Sequence, residues 1–157
     1  MITRLAARMR RSQHGSAAVE AALLIPVMVV LLVFPLLLGR IFWHYAVLQK
    51  AAHDAARYLS SVPVAEMKSN VRGPLAATLA RDIVIAETGE LYGGADSRVS
   101  ITILCGEGEC DVGPQATVTV LVRMRMYDPV FGDLTRSIVG EDGLLLRANV
   151  VMRYVGQ

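Results

Sequence analysis

One acidic residue, Glu20, stands beside the longest apolar stretch of this 157-residue chain, and the residues before it suggest a chemical reason. From Ala21 to Gly39 no side chain is charged, so a carboxylate at its margin costs free energy unless it pairs or stays near an aqueous interface. Gly15 and Ser16 lie just upstream. Glycine gives close access to the backbone, and if the chain were cut between Gly15 and Ser16, which rests on the resemblance given below, Ser16 would carry an α-amino group that is positive near neutral pH. Glu20 is four residues further on, one helical turn, so it can neutralise that amine or the amine of a neighbouring copy. In water such a pair contributes little. Among packed apolar helices the unpaired alternative is strongly disfavoured, and pairing then selects the register between helices.

The other residues able to do chemistry are few. Cys105 and Cys110 enclose Gly106-Glu107-Gly108-Glu109, a loop that a disulfide can close in an oxidising compartment. There is no second cysteine pair or nearby histidine for a metal, and the spacing is not that of a redox Cys-x-x-Cys. Glu107, Glu109 and Asp111 read as a solvated acidic loop. His44 and His53 are nine residues apart and, on a helix, point to opposite faces, so they do not share a metal. His44 is expected at an interface and His53 in a solvated pair with Asp54. No phosphate-binding glycine loop, nucleophile elbow or localised carboxylate pair is present. The sequence therefore points away from an enzyme and implies no cofactor, no metal and no small-molecule substrate.

What must position Glu20 is the apolar segment itself. The composition is 54% hydrophobic, with a mean hydropathy of +0.44 that is pooled in one place. As a helix, Ala21–Gly39 spans about 28 Å, close to the hydrocarbon thickness of a bilayer. That excludes a plain cytosolic globule. Arg4, Arg8, Arg10 and Arg11 precede the segment with no acid among them, which by the positive-inside rule holds the N-terminus in the cytoplasm and sends the rest outward. A basic run abutting an apolar run is a topology signal more often than a nucleic-acid site, and no nucleic-acid partner is expected. The stretch is longer than a secretory h-region and lacks a small-x-small cleavage site at its end. It ends instead at Phe42, Trp43 and Tyr45, side chains suited to the membrane–water interface. Pro26 and Pro35 lie inside it and each removes a helix hydrogen bond. They are kinks tolerated because neighbouring helices satisfy the freed carbonyls, or points where the helix bends on leaving the bilayer.

The stretch Arg11-Ser12-Gln13-His14-Gly15-Ser16-Ala17-Ala18-Val19-Glu20-Ala21-Ala22-Leu23-Leu24-Ile25-Pro26 resembles the class III signal sequences of type IV pilin-like proteins. Within these it is similar to the start of TadE-like proteins, pseudopilins or minor pilins of the tight-adherence (Flp) pilus system. Their pattern is a glycine, a Val-Glu pair, small and apolar residues, and a proline six residues after the glutamate. Gln49-Lys50-Ala51-Ala52-His53-Asp54-Ala55-Ala56-Arg57-Tyr58 resembles the alanine-rich helical continuation of that family. The family typically has an aromatic residue after the glutamate, where this chain has Ala21. The resemblance covers about residues 10–60. It implies cleavage by prepilin peptidase between Gly15 and Ser16, Glu20 as the assembly residue, and a role in pilus assembly, adhesion and biofilm formation. The implied partners are that peptidase, other pilins and minor pilins, and an inner-membrane assembly platform. The implied location is the bacterial inner membrane, single-pass, with the head in the periplasm or carried into the surface pilus. The other reading of the residues is a signal-anchored extracytoplasmic binding domain that does not polymerise.

Beyond the apolar segment, helical spacing of Ala46, Val47, Leu48, Ala51, Ala52, Ala55, Ala56 and Leu59 extends the first helix to about Ser60, with Ser60-Ser61-Val62-Pro63 as its exit. A second helix is expected from Pro74 to Thr88, with Leu75, Leu79, Ile83 and Ala86 as its repeating apolar positions, followed by a loop from Glu90 to Asp96. Period-two alternation predicts strands over 98–104, 117–126 and 144–154. The expected fold class is α+β and type IV pilin-like: a long N-terminal transmembrane helix, then a small head with a second helix and a three-stranded antiparallel sheet. The expected organisation is a leader over 1–15, a long helix over 16–60 with the membrane segment at 17–42, and an extracytoplasmic head over 61–157.

Overall fold

The structure, a computed structural model, describes residues 2–91, 99–106, 108, 110, 116–128 and 131–156. The side chains of residues 2–16, 133–134 and 138–139 lie outside the description. So do most of the expected 90–96 loop and the acids Glu107, Glu109 and Asp111.

Helix α1 (Ile2–Ser61) is continuous through Pro26 and Pro35. Contacts divide the chain into two compact units, Met1–Gly39 and Arg40–Gln157. In the first, every described side chain from Ala17 to Leu38 is exposed except Val33 and Leu37. Among the described residues one helical stretch, Ala17–Ser61, is long and apolar enough to cross a membrane.

The second unit is an α+β head. After α1 come α2 (Val64–Met67), α3 (Arg72–Thr88), a 3-10 turn (Gly89–Leu91), β1 (Val99–Cys105), β2 (Thr117–Met126), α4 (Gly132–Val139) and β3 (Leu144–Arg153). The sheet is antiparallel in the order β1-β2-β3, with Ile103 opposite Val120, Val122 opposite Ala148 and Met124 opposite Leu146. Alternation along β2 buries Val118, Val120, Val122, Met124 and Met126 while Arg123 and Arg125 face solvent. Because the side-chain period of a strand is two, one face of this sheet is apolar, and the other is mixed, carrying threonine, arginine and asparagine together with Leu104, Leu121, Leu145 and Val151.

The helical part of the core is built from small residues. Leu48, Ala51, Ala52, Ala55, Ala56 and Leu59 recur at intervals of three and four on α1 and are completely buried. Alanine keeps a helix surface low, so neighbouring backbone comes close without a void. Helix α3 does the same, though not on the expected face. It buries Gly73, Ala76, Ala80, Val84 and Thr88, whereas Leu75 and Leu79 remain 54% and 44% exposed. The physical reason is proximity: a side chain on Gly73 would sit 3.1 Å from the Met67 carbonyl oxygen and 3.4 Å from that of Cys110. Two apolar stripes share the helical period, and periodicity alone does not say which turns inward.

The short helix α4 has no counterpart in the sequence pattern, since eight residues give too few turns for a periodic signal. It is followed by Gly140 and Gly143, both at positive φ (82° and 75°), a backbone conformation that glycine adopts without steric cost. The disulfide Cys105–Cys110 closes the loop after β1, with Gly106 also at positive φ.

The end of the chain is fastened to the end of α1. Val155 N–H donates to Ser60 O at 3.0 Å, and Tyr154 N–H donates to Ala116 O at 3.0 Å. The Tyr154 hydroxyl donates to Val62 O. Burial pushes the Tyr154 phenol above its ordinary pKa, so it keeps this proton. Gly156 lies against Val62 O and the Tyr154 hydroxyl, with no room for a side chain. Tyr154→Phe is expected to destabilise the head by about 1 kcal/mol through the orphaned carbonyl, measured by urea unfolding of the full chain in detergent. An unchanged midpoint contradicts this role for the clasp.

Candidate functional site

The residues singled out for processing and assembly lie on one uninterrupted helix. The backbone is helical at Gly15 and Ser16, and Glu20 is exposed a little over a turn beyond them. No ion pair to Glu20 occurs among the described residues. Its carboxylate stands at the head of the exposed apolar surface. Downstream, Pro26 and Pro35 leave the Ala22 and Leu31 carbonyls without their usual helical donors.

Where the head begins, Phe42, Trp43 and Tyr45 are exposed, and the Tyr45 hydroxyl accepts a hydrogen bond from Gln49 Nε2 at 2.9 Å. His44 departs from the sequence expectation. It is buried, its Nδ1–H donates to Arg40 O at 2.8 Å, and Trp43 meets its ring edge-on at 5.2 Å. One turn places three aromatic side chains outside and one imidazole inside, a division that residue type does not reveal.

Arg40, the first charged residue after the apolar stretch, approaches Asp128 with Nη1···Oδ1 3.9 Å. The Asp128 side chain is only 4% exposed. Its Oδ1 accepts from Phe131 N–H at 3.2 Å and its Oδ2 from the Thr135 hydroxyl at 2.9 Å. Asp128 thus satisfies donors at the start of α4 and faces the guanidinium at the start of the head's helix. It joins the two elements where the chain leaves the apolar segment. Sequence reasoning missed this node, and the available signal was Asp128-Pro129, a dipeptide that favours turn initiation. A shallow pocket lined by Tyr127, Asp128, Thr135, Arg136 and Glu141 adjoins it.

A second charged link ties α1 to α3. Lys50 Nζ donates to Glu87 Oε1 at 2.9 Å and lies 3.2 Å from Asp54. The Glu87 hydrogen bond, then Asp54, raises the Lys50 pKa, and Lys50 holds the Asp54 carboxyl below its ordinary range. With its folded pKa depressed, Asp54 contributes stability above its unfolded value that is lost as pH falls through the lowered one. The group is surface-exposed, so that contribution is small. His53 lies beside Asp54 at 3.7 Å. No group of three or more metal-ligating side chains occurs among the described residues.

The decisive comparison concerns the helix that carries these features. Residues 15–57 match the model of the family described as TadE-like protein. The TadE-like segment opens on Gly15, contains Glu20, both prolines and the aromatic turn, and closes within the buried alanine face of α1. Searches of curated proteins and of solved structures found no match. TadE-like proteins are in general non-enzymatic and point to the Tad pilus system. The apolar helix is compatible with a single-pass membrane anchor.

Asp128→Ala is expected to cost about 1–3 kcal/mol, since it removes the buried acceptor of the Phe131 N–H and one of the two acceptors within reach of the Thr135 hydroxyl. Thermal unfolding of the full chain checks this, and an unshifted transition contradicts it.

Proposed function

We propose that the chain is a minor pilin or pseudopilin of a tight-adherence (Flp) type IV pilus, made as a precursor and cut by prepilin peptidase between Gly15 and Ser16. The observation that carries this reading is the TadE-like segment, which begins at Gly15 and places Glu20 at the head of an exposed apolar helix. In the precursor, the arginines of residues 1–15 hold the N-terminus in the cytoplasm while the head stands outside the inner membrane. Cleavage removes those charges and creates the Ser16 amine. The freed helix then exchanges lipid contacts for contacts with other pilin helices, and Glu20 pairs with an N-terminal amine. The mature chain carries no basic surplus: residues 16–157 hold all fourteen acids and all but four of the sixteen basic residues.

The partners in this reading are the peptidase, other pilins and minor pilins, and the inner-membrane assembly platform. Adhesion and biofilm formation follow from pilus assembly rather than from any catalytic step.

Mass spectrometry of the protein recovered from peptidase-containing cells tests the reading. The expected product begins at Ser16, and Gly15→Leu is expected to leave the precursor intact. A chain that retains Met1 beside an active peptidase contradicts the proposal and identifies an anchored head that does not polymerise.

A further inference from the structure

The outward face of the sheet carries charge of one sign. None of the three strands contains an acid, and their exposed side includes Arg123 and Arg125 on β2 and Arg147 and Arg153 on β3. Arg123 and Arg147 stand directly opposite each other in the register of β2 and β3. Like charges so placed, with Cβ atoms about 5 Å apart, destabilise a sheet. Arg123, Arg147 and Arg153 have no ion pair among the described residues. Arg125 Nη1 donates to the Asp142 carbonyl oxygen at 3.2 Å and lies 3.9 Å from its carboxylate, a side chain 93% exposed and so a weak counter-charge.

This face has a near and a far end. Arg40, where the chain enters the head from its apolar segment, meets Asp128 just after β2, whereas Ser60 and Val62 receive hydrogen bonds from Val155 and Tyr154 just after β3. Helix α1 rises about 30 Å from Arg40 to Ser60, and the ten residues of β3 span about the same length, so the sheet runs along α1. Met126 pairs with Leu144 at the near end. Arg125, Arg123 and Arg147 lie about 3–10 Å along the strands from that pair, and Arg153 about 30 Å. Leu145, exposed and opposite Arg125, adds an apolar side chain there, and Phe42, Trp43 and Tyr45 are exposed just after Arg40.

We propose that Arg123, Arg125 and Arg147 dock the head onto the phosphate headgroups of anionic phospholipids in the membrane that α1 enters, an inference that rests on the anchored reading above. Charge complementarity selects the occupant: a phosphate between opposed guanidinium groups replaces their repulsion with charge-assisted hydrogen bonds. The near end selects lipid over a soluble polyanion. A polymer lying along the face engages Arg153 as well, whereas headgroups meet the arginines beside the aromatic turn, whose long stems let the charges reach the interface. Docking of this kind holds the head in one orientation at the bilayer.

The test reconstitutes the full chain into vesicles of phosphatidylcholine, with or without about one-third phosphatidylglycerol, and maps arginine modification by phenylglyoxal with mass spectrometry. Phosphatidylglycerol is expected to slow modification of Arg123, Arg125 and Arg147 about fivefold, the effect of holding a basic residue at an anionic surface, and to leave Arg153 unchanged. Unaltered rates at the three, or equal slowing of Arg153, overturns the proposal. Heparin that protects all four in neutral vesicles, where phosphatidylglycerol protects none, also overturns it and assigns the face to a polymer. Thermal unfolding gives a second readout: phosphatidylglycerol is expected to raise the transition of the parent more than that of Arg147→Gln, and equal shifts contradict docking. Flotation with neutral vesicles tests the anchor separately. A chain that fails to float removes the anchored reading, while one that floats without responding to phosphatidylglycerol removes the docking alone.

Discussion

The exposed apolar surface of α1 between Val19 and Leu38 has no stable place in water, and the rest of the structure is arranged around that constraint. Burying a side chain of leucine or valine size contributes about 1.5–3 kcal/mol, and this helix presents many of them without an intramolecular cover. A bilayer can cover it, and so can a bundle of like helices. The two environments differ in how they treat Glu20. Lipid tolerates the carboxylate only near the headgroups, whereas a bundle can supply a cation for it. A single acidic residue at the margin of an otherwise uniform surface is thus the place where the proposed assembly role and plain anchoring differ.

The head solves a different problem on the same helix. From Leu48 onward α1 buries alanines where its first part exposes leucines and valines, so a change of side-chain size divides one continuous helix between two roles. The fastenings stand at the ends of the head. Arg40 and Asp128 join the first turn of the head's helix to α4, and Ser60 and Val62 receive hydrogen bonds from Val155 and Tyr154. Between them Lys50 and Glu87 tie α1 to α3. Such a head can move as one body with the second part of α1.

Much of this was legible in the sequence. The long helix, the three strands, the Cys105–Cys110 bridge and the TadE-like resemblance follow from hydropathy, period-two alternation and short motifs, all of which are local signals. What was not legible depends on long-range proximity. The inward face of α3 is decided by a close approach to Met67 and Cys110, and periodicity marks Leu75 and Ala76 equally well. The burial of His44 depends on its neighbours in space, and the Asp128 node joins residues far apart in the chain. For Gly15, Ser16 and Glu20, the sequence pattern names the residues, and the partners in the proposed role are not among the contacts within this chain.

The central claim is that Glu20 serves assembly rather than anchoring. The most direct measurement compares the wild-type chain with Glu20→Ala and Glu20→Gln in piliated cells, quantifying the processed protein in the inner membrane and in sheared surface pili. The account predicts that both variants are cleaved and retained in the membrane as well as the parent, yet are depleted from pili about tenfold, as expected when a buried cationic amine loses its counter-charge. Incorporation of either variant at the parental level would contradict it.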